Sequence, residues 1–199
     1  MPATLMALVC GGIAGTVAAS SAGAASPKPL TILVTNDDGY NSPGINTLVQ
    51  ALRKLPKVTV KVVAPATNES GTGAKTTPGT LTTTKATTLS GYPAIAVHGY
   101  PADTIRAAID QLHLKPNLVV SGINLDQNLG PVLDLSGTVG AARAAAVRGI
   151  PAVATSQGLG NPVAYPVTAK AAITWITRNR SKLVVTTKPQ TTIVNINGP

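Results

Sequence analysis

A mostly apolar run, Leu30–Thr35, is followed by a helical pattern and then by a Val-rich stretch at 58–63. Few folds accommodate that order. The first run reads as a strand buried on both faces. Ser42-Pro43-Gly44 then opens a helix to about residue 55, with Ile45, Leu48, Val49 and Leu52 along one side. Ser42 is placed to cap it, and Pro43 suits its first turn. Strand, helix and strand make a βαβ unit, whose strands are parallel and whose crossover is right-handed.

The alternation continues downstream. The pattern predicts strands at 81–84, 95–97, 118–121, 152–155 and 192–196, with helices at 101–112, 137–148 and 167–179. Long loops fall at 65–80 and 122–136. This is the signature of an α/β fold, a Rossmann-like doubly wound, mostly parallel sheet. Composition agrees: the chain has no Phe and is rich in Ala, Gly, Thr and Val, residues that suit a sheet covered by Ala-rich helices.

In such sheets ligands bind beyond the carboxyl ends of the strands. Asn36-Asp37-Asp38 follows the first strand, Asn68-Glu69-Ser70-Gly71 the second, and Ser121-Gly122-Ile123-Asn124 the one at 118. The chain has only seven acidic residues, so two side by side at this edge stand out. Adjacent carboxylates repel unless both are solvated or a cation sits between them. Asp-Gly is also a common turn signal, and the segment alone leaves both readings open. Asp37, Asp38, Ser70 and Asn124 together would offer two carboxylates, a hydroxyl and an amide oxygen. That oxygen-only set suits Mg²⁺ or Mn²⁺ and suits zinc poorly. Ser136-Gly137-Thr138 opens an Ala-rich helix, where free N–H groups beside hydroxyls form a phosphate cradle. The plainer alternative is that Ser136 simply caps the helix.

Other classes are disfavoured. The net charge is +9, but Lys and Arg are scattered and not interleaved with aromatics, which argues against a nucleic-acid duplex as partner. A diffuse positive field still draws small anions. Cys10 is the only cysteine, and His98 and His113 the only histidines, too few for a zinc cluster. No Gly-x-Gly-x-x-Gly follows the first strand, so a dinucleotide-binding oxidoreductase is disfavoured. Residues 5–19 are apolar, and small residues follow at 22–26. We expect residues 1–26 to be a signal peptide, although its start lacks a basic group, and 27–199 to be the domain. Export to the periplasm or beyond follows if that leader is real, and a cytoplasmic site if it is not. The apolar run is too short for stable membrane insertion.

Several segments in order carry a resemblance. They are Thr35-Asn36-Asp37-Asp38-Gly39-Tyr40-Asn41-Ser42-Pro43-Gly44-Ile45, Val63-Ala64-Pro65 with Asn68-Glu69-Ser70-Gly71, Gly99-Tyr100-Pro101-Ala102-Asp103, Val119-Val120-Ser121-Gly122-Ile123-Asn124, Asn128-Leu129-Gly130, Ser136-Gly137-Thr138-Val139-Gly140, Gly149-Ile150-Pro151 and Asn195-Ile196-Asn197-Gly198-Pro199. Together they resemble the SurE family of survival-protein nucleotidases. The resemblance implies a metal-dependent phosphomonoesterase of 5′/3′-nucleotidase or acid-phosphatase type, converting nucleoside monophosphates to nucleoside and phosphate. It implies one Mn²⁺ or Mg²⁺ per subunit, held by Asp37, Asp38, Ser70 and Asn124, with the two aspartates catalytic. Asn36, Asn68, Gly71, Asn128, Ser136, Gly137 and Thr138 map to the phosphate-binding surroundings.

The chain departs from the family pattern in places. Asp126 stands where Gly is usual, Pro131 and Val132 where acidic residues are common, and Ala144 where a glutamate is usual. A catalytically impaired relative that binds nucleotide or metal is therefore the alternative expectation. Family chains also continue past the Asn195–Pro199 motif, into extra strands and an arm exchanged between subunits. We expect this chain to lack that C-terminal extension, which makes a homo-oligomer doubtful.

Overall fold

In the computed structural model, which describes residues 26–199, β1 (Leu30–Thr35) lies in the middle of a seven-stranded sheet. All but Ser26 of the expected leader lies outside the described residues. The other strands are β2 (Val58–Pro65), β3 (Thr82–Thr87), β4 (Pro93–His98), β5 (Leu118–Leu125), β6 (Ala152–Gln157) and β7 (Val194–Gly198). Their order is β3-β4-β2-β1-β5-β6-β7, all parallel except β3, which runs antiparallel to β4. From β1 the chain steps to β2 on one side, and later to β5 on the other. The strand order therefore reverses at β1/β5, and a crevice opens there at the carboxyl ends.

Four helices cover both faces: α1 (Pro43–Leu52), α2 (Pro101–Arg106), α3 (Gly137–Ala146) and α4 (Tyr165–Asn179). The two-residue period of β1 divides its side chains between two cores. Ile32 and Val34 pack with Ile45, Leu48 and Leu52 of α1 and with Ala172 and Ile176 of α4. Leu33 packs with Ile105 of α2 and with Val139, Ala142 and Ala145 of α3. Small residues let the helices sit close. At Gly44 a Cβ would lie 1.9 Å from the Ile123 carbonyl oxygen, so α1 rests directly on the β5 backbone.

Some boundaries differ from the sequence expectation. α1 stops at Leu52, three residues early, because the chain tightens into turns with Lys54 N–H bonded to the Ala51 carbonyl. The helix expected at 101–112 is α2 followed by a π-helical turn, Ala107–Gln111. The loop expected at 122–136 is shorter, because β5 continues to Leu125 and a 3-10 turn occupies Gly130–Asp134. Gly122 allows that continuation. Its φ is +130°, and a Cβ there would sit 2.3 Å from the Thr155 carbonyl oxygen. The β5–β6 register shifts between Ser121 and Asn124 as a result. Ser42 occupies the N-cap position of α1 but makes no side-chain cap bond; its Oγ instead accepts from Asn36 Nδ2 at 2.9 Å.

The loop at 65–80 is tied down along its length. Glu69 N–H donates to the Asp37 carbonyl at 2.7 Å, and Gly73 N–H to the Leu135 carbonyl at 2.9 Å. Farther on, Thr77 Oγ1 donates to Asp103 Oδ2 at 2.7 Å. Where the loop crosses α3, a Cβ on Gly140 would lie 2.1 Å from the Gly73 carbonyl oxygen.

Arg180 staples the opposite edge. Its guanidinium donates to the carbonyls of Lys28, Pro56 and Lys57 at 2.7, 2.9 and 2.9 Å. Arg180→Ala should lower stability by about 1–2 kcal/mol, since charged hydrogen bonds contribute more than neutral ones but these are solvent-accessible. Urea unfolding reads this directly, and an unchanged midpoint would remove the staple from the account.

Candidate active site

Asp37 and Asp38 stand at the carboxyl end of β1, in the crevice at the strand-order reversal. Asp37 is 2 % exposed. Its Oδ1 accepts from Thr138 Oγ1 at 2.6 Å and its Oδ2 from Thr138 N–H at 3.1 Å. Gly137 N–H also favours the charged carboxylate. The first turn of α3 therefore holds an anion already, and the anion is the Asp37 side chain. The helix dipole supports this placement. Gly137 has to be glycine: a Cβ would lie 2.8 Å from Asp37 Cβ and 2.7 Å from Pro101 Cγ. Ser136 Oγ accepts from Val139 N–H at 3.1 Å as an ordinary N-cap. The Gly137 and Thr138 donors that the sequence offers to a phosphate are thus engaged by Asp37, and Ser136 Oγ serves as an acceptor.

Asp38 is held more loosely. Asn68 Nδ2 approaches its Oδ1 at 3.5 Å, the outer limit of a hydrogen bond, and the Leu125 N–H supports the charged form. Its Oδ2 is buried with no partner, and so is Oδ1 of the fully buried Asn36. Asn36 Nδ2 is occupied by the Gly39 carbonyl and Ser42 Oγ, both at 2.9 Å.

Three strand ends therefore meet at the acidic pair. The loop after β2 reaches it through Asn68 and Glu69, and the end of β5 reaches it through Leu125. Ser70 and Gly71 are exposed on that loop tip. Asn68 Oδ1 accepts from Ser70 N–H at 2.9 Å, which shapes the tip, and Gly71 adopts φ +78° with open space around it. Asn124 is 9 % exposed, and its Nδ2 donates to the carbonyls of Leu125 and Asp126 at 3.0 and 2.7 Å. Asn128 sits farther back, with its Nδ2 on Ser156 Oγ at 2.8 Å.

Sequence reasoning missed Tyr165, at the start of α4. Burial and the neighbouring Asp38 charge both push its phenol upward, which places it beside the acidic pair. A Cβ on Gly44 would lie 3.2 Å from its ring. Nothing in the local sequence links a tyrosine so distant in the chain to Asp38.

The charge of the pair is costly as it stands. Burial raises the Asp37 carboxyl, against the pull of the Thr138 hydroxyl and amide. Burial and then the Asp37 charge push Asp38 up to about 6. Two repelling carboxylates with an unpartnered buried oxygen form an electrostatic sink that a cation would fill. Among the described residues no three His, Cys, Asp or Glu side chains come together, so any such ion would draw its remaining ligands from neutral oxygens. Hydroxyl and amide oxygens on these loops are the ligand types that a hard divalent ion accepts. The residues present fit the implied ion.

A family model described as Survival protein SurE matches residues 32–199. The chain belongs to the SurE family. It is 37 % identical over 177 residues to the 5′-nucleotidase SurE of Paramagnetospirillum magneticum, covering 88 % of this chain and 66 % of the relative. To the 5′-nucleotidase SurE of Methylococcus capsulatus it is 40 % identical over 169 residues, 84 % of this chain and 64 % of that one. The crystal structure of SurE from Aquifex aeolicus matches with a TM-score of 0.71 and 35 % identity, covering 84 % of this chain and 65 % of the other. This SurE-family chain thus spans just under two thirds of the length of these relatives.

Proposed function

We propose that this chain is a divalent-metal-dependent phosphomonoesterase that hydrolyses nucleoside monophosphates to nucleoside and phosphate. The observation that carries this is the acidic pair at the β1/β5 switch point, buried at Asp37 and half-buried at Asp38, with one buried carboxylate oxygen left without a partner. The relatives named 5′-nucleotidase support the substrate class.

Asp37, Asp38, Ser70 and Asn124 would hold a single Mn²⁺ or Mg²⁺. When bound, such an ion polarises the phosphoryl group and eases deprotonation of water. The protein's own groups divide the remaining work. Asp37, fixed by Thr138 and Gly137, is the rigid anchor. Asp38 Oδ2, free of internal partners, orients the attacking water and can accept its proton. Asn68 and Gly71, on the exposed tip, meet the phosphoryl oxygens. Asn36, Asn128, Ser136, Gly137 and Thr138 form the walls behind them. Residues 1–26 are proposed to export the domain formed by 27–199.

Phosphate release from p-nitrophenyl phosphate and from a panel of nucleoside monophosphates, with chelator, Mg²⁺ or Mn²⁺, tests the proposal. Activity should rise at least about tenfold with the ion. Saturable nucleotide binding without phosphate release would instead favour the impaired relative, for which the altered positions Asp126, Pro131, Val132 and Ala144 argue.

The acidic pair also sets a pH dependence for the metal-free fold. Asp38 titrates near 6 when folded, against 3.8 for an ordinary aspartate. A raised carboxyl adds stability below about 3.8 and loses that contribution as pH climbs through 6. Metal-free protein should therefore lose stability across this window. The melting-temperature gain from Mn²⁺ should grow across the same window, as the pair ionises and binds. Thermal shift at several pH values, with chelator and with Mn²⁺, checks this. A gain independent of pH would contradict the placement of the ion on these carboxylates.

A further inference from the structure

We propose that Asn195 and Asn197 of β7 are positioning residues. They clasp the main chain of Asn128 and so hold the segment 125–130 against the acidic pair. The proposal rests on the phosphatase reading for its kinetic consequence only.

The spacing is what a strand requires. Residues two apart lie on the same face, so both amides point to one side of β7. Asn197 Oδ1 accepts from Asn128 N–H at 2.8 Å, and Asn197 Nδ2 donates to the Asn128 carbonyl at 3.3 Å. Asn195 Nδ2 donates to that same carbonyl at 2.9 Å. A primary amide can do both, because it offers a donor and an acceptor from one planar group. An aspartate of the same shape cannot donate. The Asn128 side chain completes the arrangement by donating to Ser156 Oγ at 2.8 Å, and Ser156 pairs with Asn197 across β6 and β7. Next to it, Gln127 Nε2 donates to the Gly198 carbonyl at 2.6 Å. Asn128 is 3 % exposed and Ser156 is fully buried, so the bond between them is shielded from water, while Asn195 and Asn197 are half-buried.

The segment needs such restraint. Asp126 adopts φ +80°, a left-handed conformation that a non-glycine residue holds only when its surroundings enforce it. The other end of the segment is what touches the site: Asn124, a candidate ion ligand, donates its Nδ2 to the carbonyls of Leu125 and Asp126 at 3.0 and 2.7 Å. The last strand of the sheet therefore reaches the acidic pair through a loop, without contributing a side chain to it.

The test compares Asn197→Asp, Asn197→Ala, Asn195→Ala and Ser156→Ala in the intact chain. Hydrogen exchange of peptides covering 125–130 is the readout that does not depend on activity. Exchange there should accelerate roughly tenfold, as expected for the loss of one or two buried hydrogen bonds, while β1 and β2 stay protected. Mn²⁺ affinity should weaken, and kcat/KM for p-nitrophenyl phosphate should fall about tenfold. Ser156→Thr keeps the hydroxyl at the cost of a buried methyl group, and should slow exchange at 125–130 relative to Ser156→Ala. Asn197→Ala combined with Ser156→Ala should cost less than the sum of the two, because both act through Asn128. Unchanged exchange at 125–130 in Asn197→Ala overturns the clasp. So does a uniform rise across the whole sheet with additive kinetic losses, which would mark a purely structural role. If the wild type releases no phosphate, the phosphatase reading fails, and the exchange and Mn²⁺ arms decide the clasp by themselves.

Discussion

Asp38→Asn is expected to cut metal-stimulated phosphate release by roughly 10²–10⁴-fold, the range for removing a group that acts on the transferred proton or the developing charge. The same change should raise the melting temperature of the metal-free protein at neutral pH. Asp38 is half-buried beside a second carboxylate, its buried Oδ2 has no partner, and asparagine removes the charge without changing the shape. Asp37→Asn should lose activity as well, with a smaller change in stability. Burial raises its carboxyl too, but Thr138 and Gly137 hold the charged form, and asparagine leaves each Thr138 group a partner because the hydroxyl can accept from the new NH₂. The pair of variants thus separates function from stability. Steady-state kinetics and thermal melts in chelator measure both. Wild-type, metal-stimulated turnover in Asp38→Asn would end the assignment of the acidic pair as the reaction centre.

Asp103→Ala should cost about 2–4 kcal/mol, the penalty for leaving several donors without their charged, buried acceptor. Asp103 is fully buried, whereas its partner Arg106 retains 27 % side-chain exposure. Its carboxylate accepts from Thr77 N–H at 2.9 Å, from Thr77 Oγ1 at 2.7 Å and from Tyr100 N–H at 3.0 Å, and it pairs with Arg106 at 3.1 Å. Arg106 in turn donates to the carbonyls of Thr77 and Gly79. The variant removes the anchor for the distal part of the 65–80 loop and leaves the Thr77 and Tyr100 donors without their acceptor. Urea denaturation should show the loss, and protease cleavage within 74–80 should accelerate. A midpoint near wild type would mean that the loop does not depend on this anchor.

The fold was legible because its signals are local. Leu30–Thr35 is mostly apolar and β-branched, and Pro43 with the Ile45–Leu52 stripe marks a helix on its own terms. β3 was harder to place, because Thr82–Thr87 is polar and largely exposed, and it is a strand by virtue of its pairing with β4. The extension of β5 beyond Ser121 depends on Gly122 lying against Thr155, a contact between strands that no window of sequence contains.

The site divides in the same way. The acidic pair and the two other strand-end loops follow from the sheet topology once the strands are known. The resemblance marked Asn128, Thr138 and the Asp103 motif, but not what each touches. The grip of Thr138 on Asp37 joins residues more than a hundred apart, and only packing of α3 against β1 brings it about. Tyr165 carries no sequence signal at all, because its proximity to Asp38 follows from α4 packing beside α1.

The pinned loop after β2 carries a final consequence. Its two flanks are fastened to β1, α3 and α2, while Asn68, Ser70 and Gly71 stand exposed between the fastenings. Asn68 shapes the tip through its bond to the Ser70 N–H, and Gly71 holds φ +78°, so changes there reshape the tip without breaking the main-chain fastenings on either side. Under the proposed function, substrate preference is expected to respond to Asn68 and Gly71 while the sheet beneath them stays as it is.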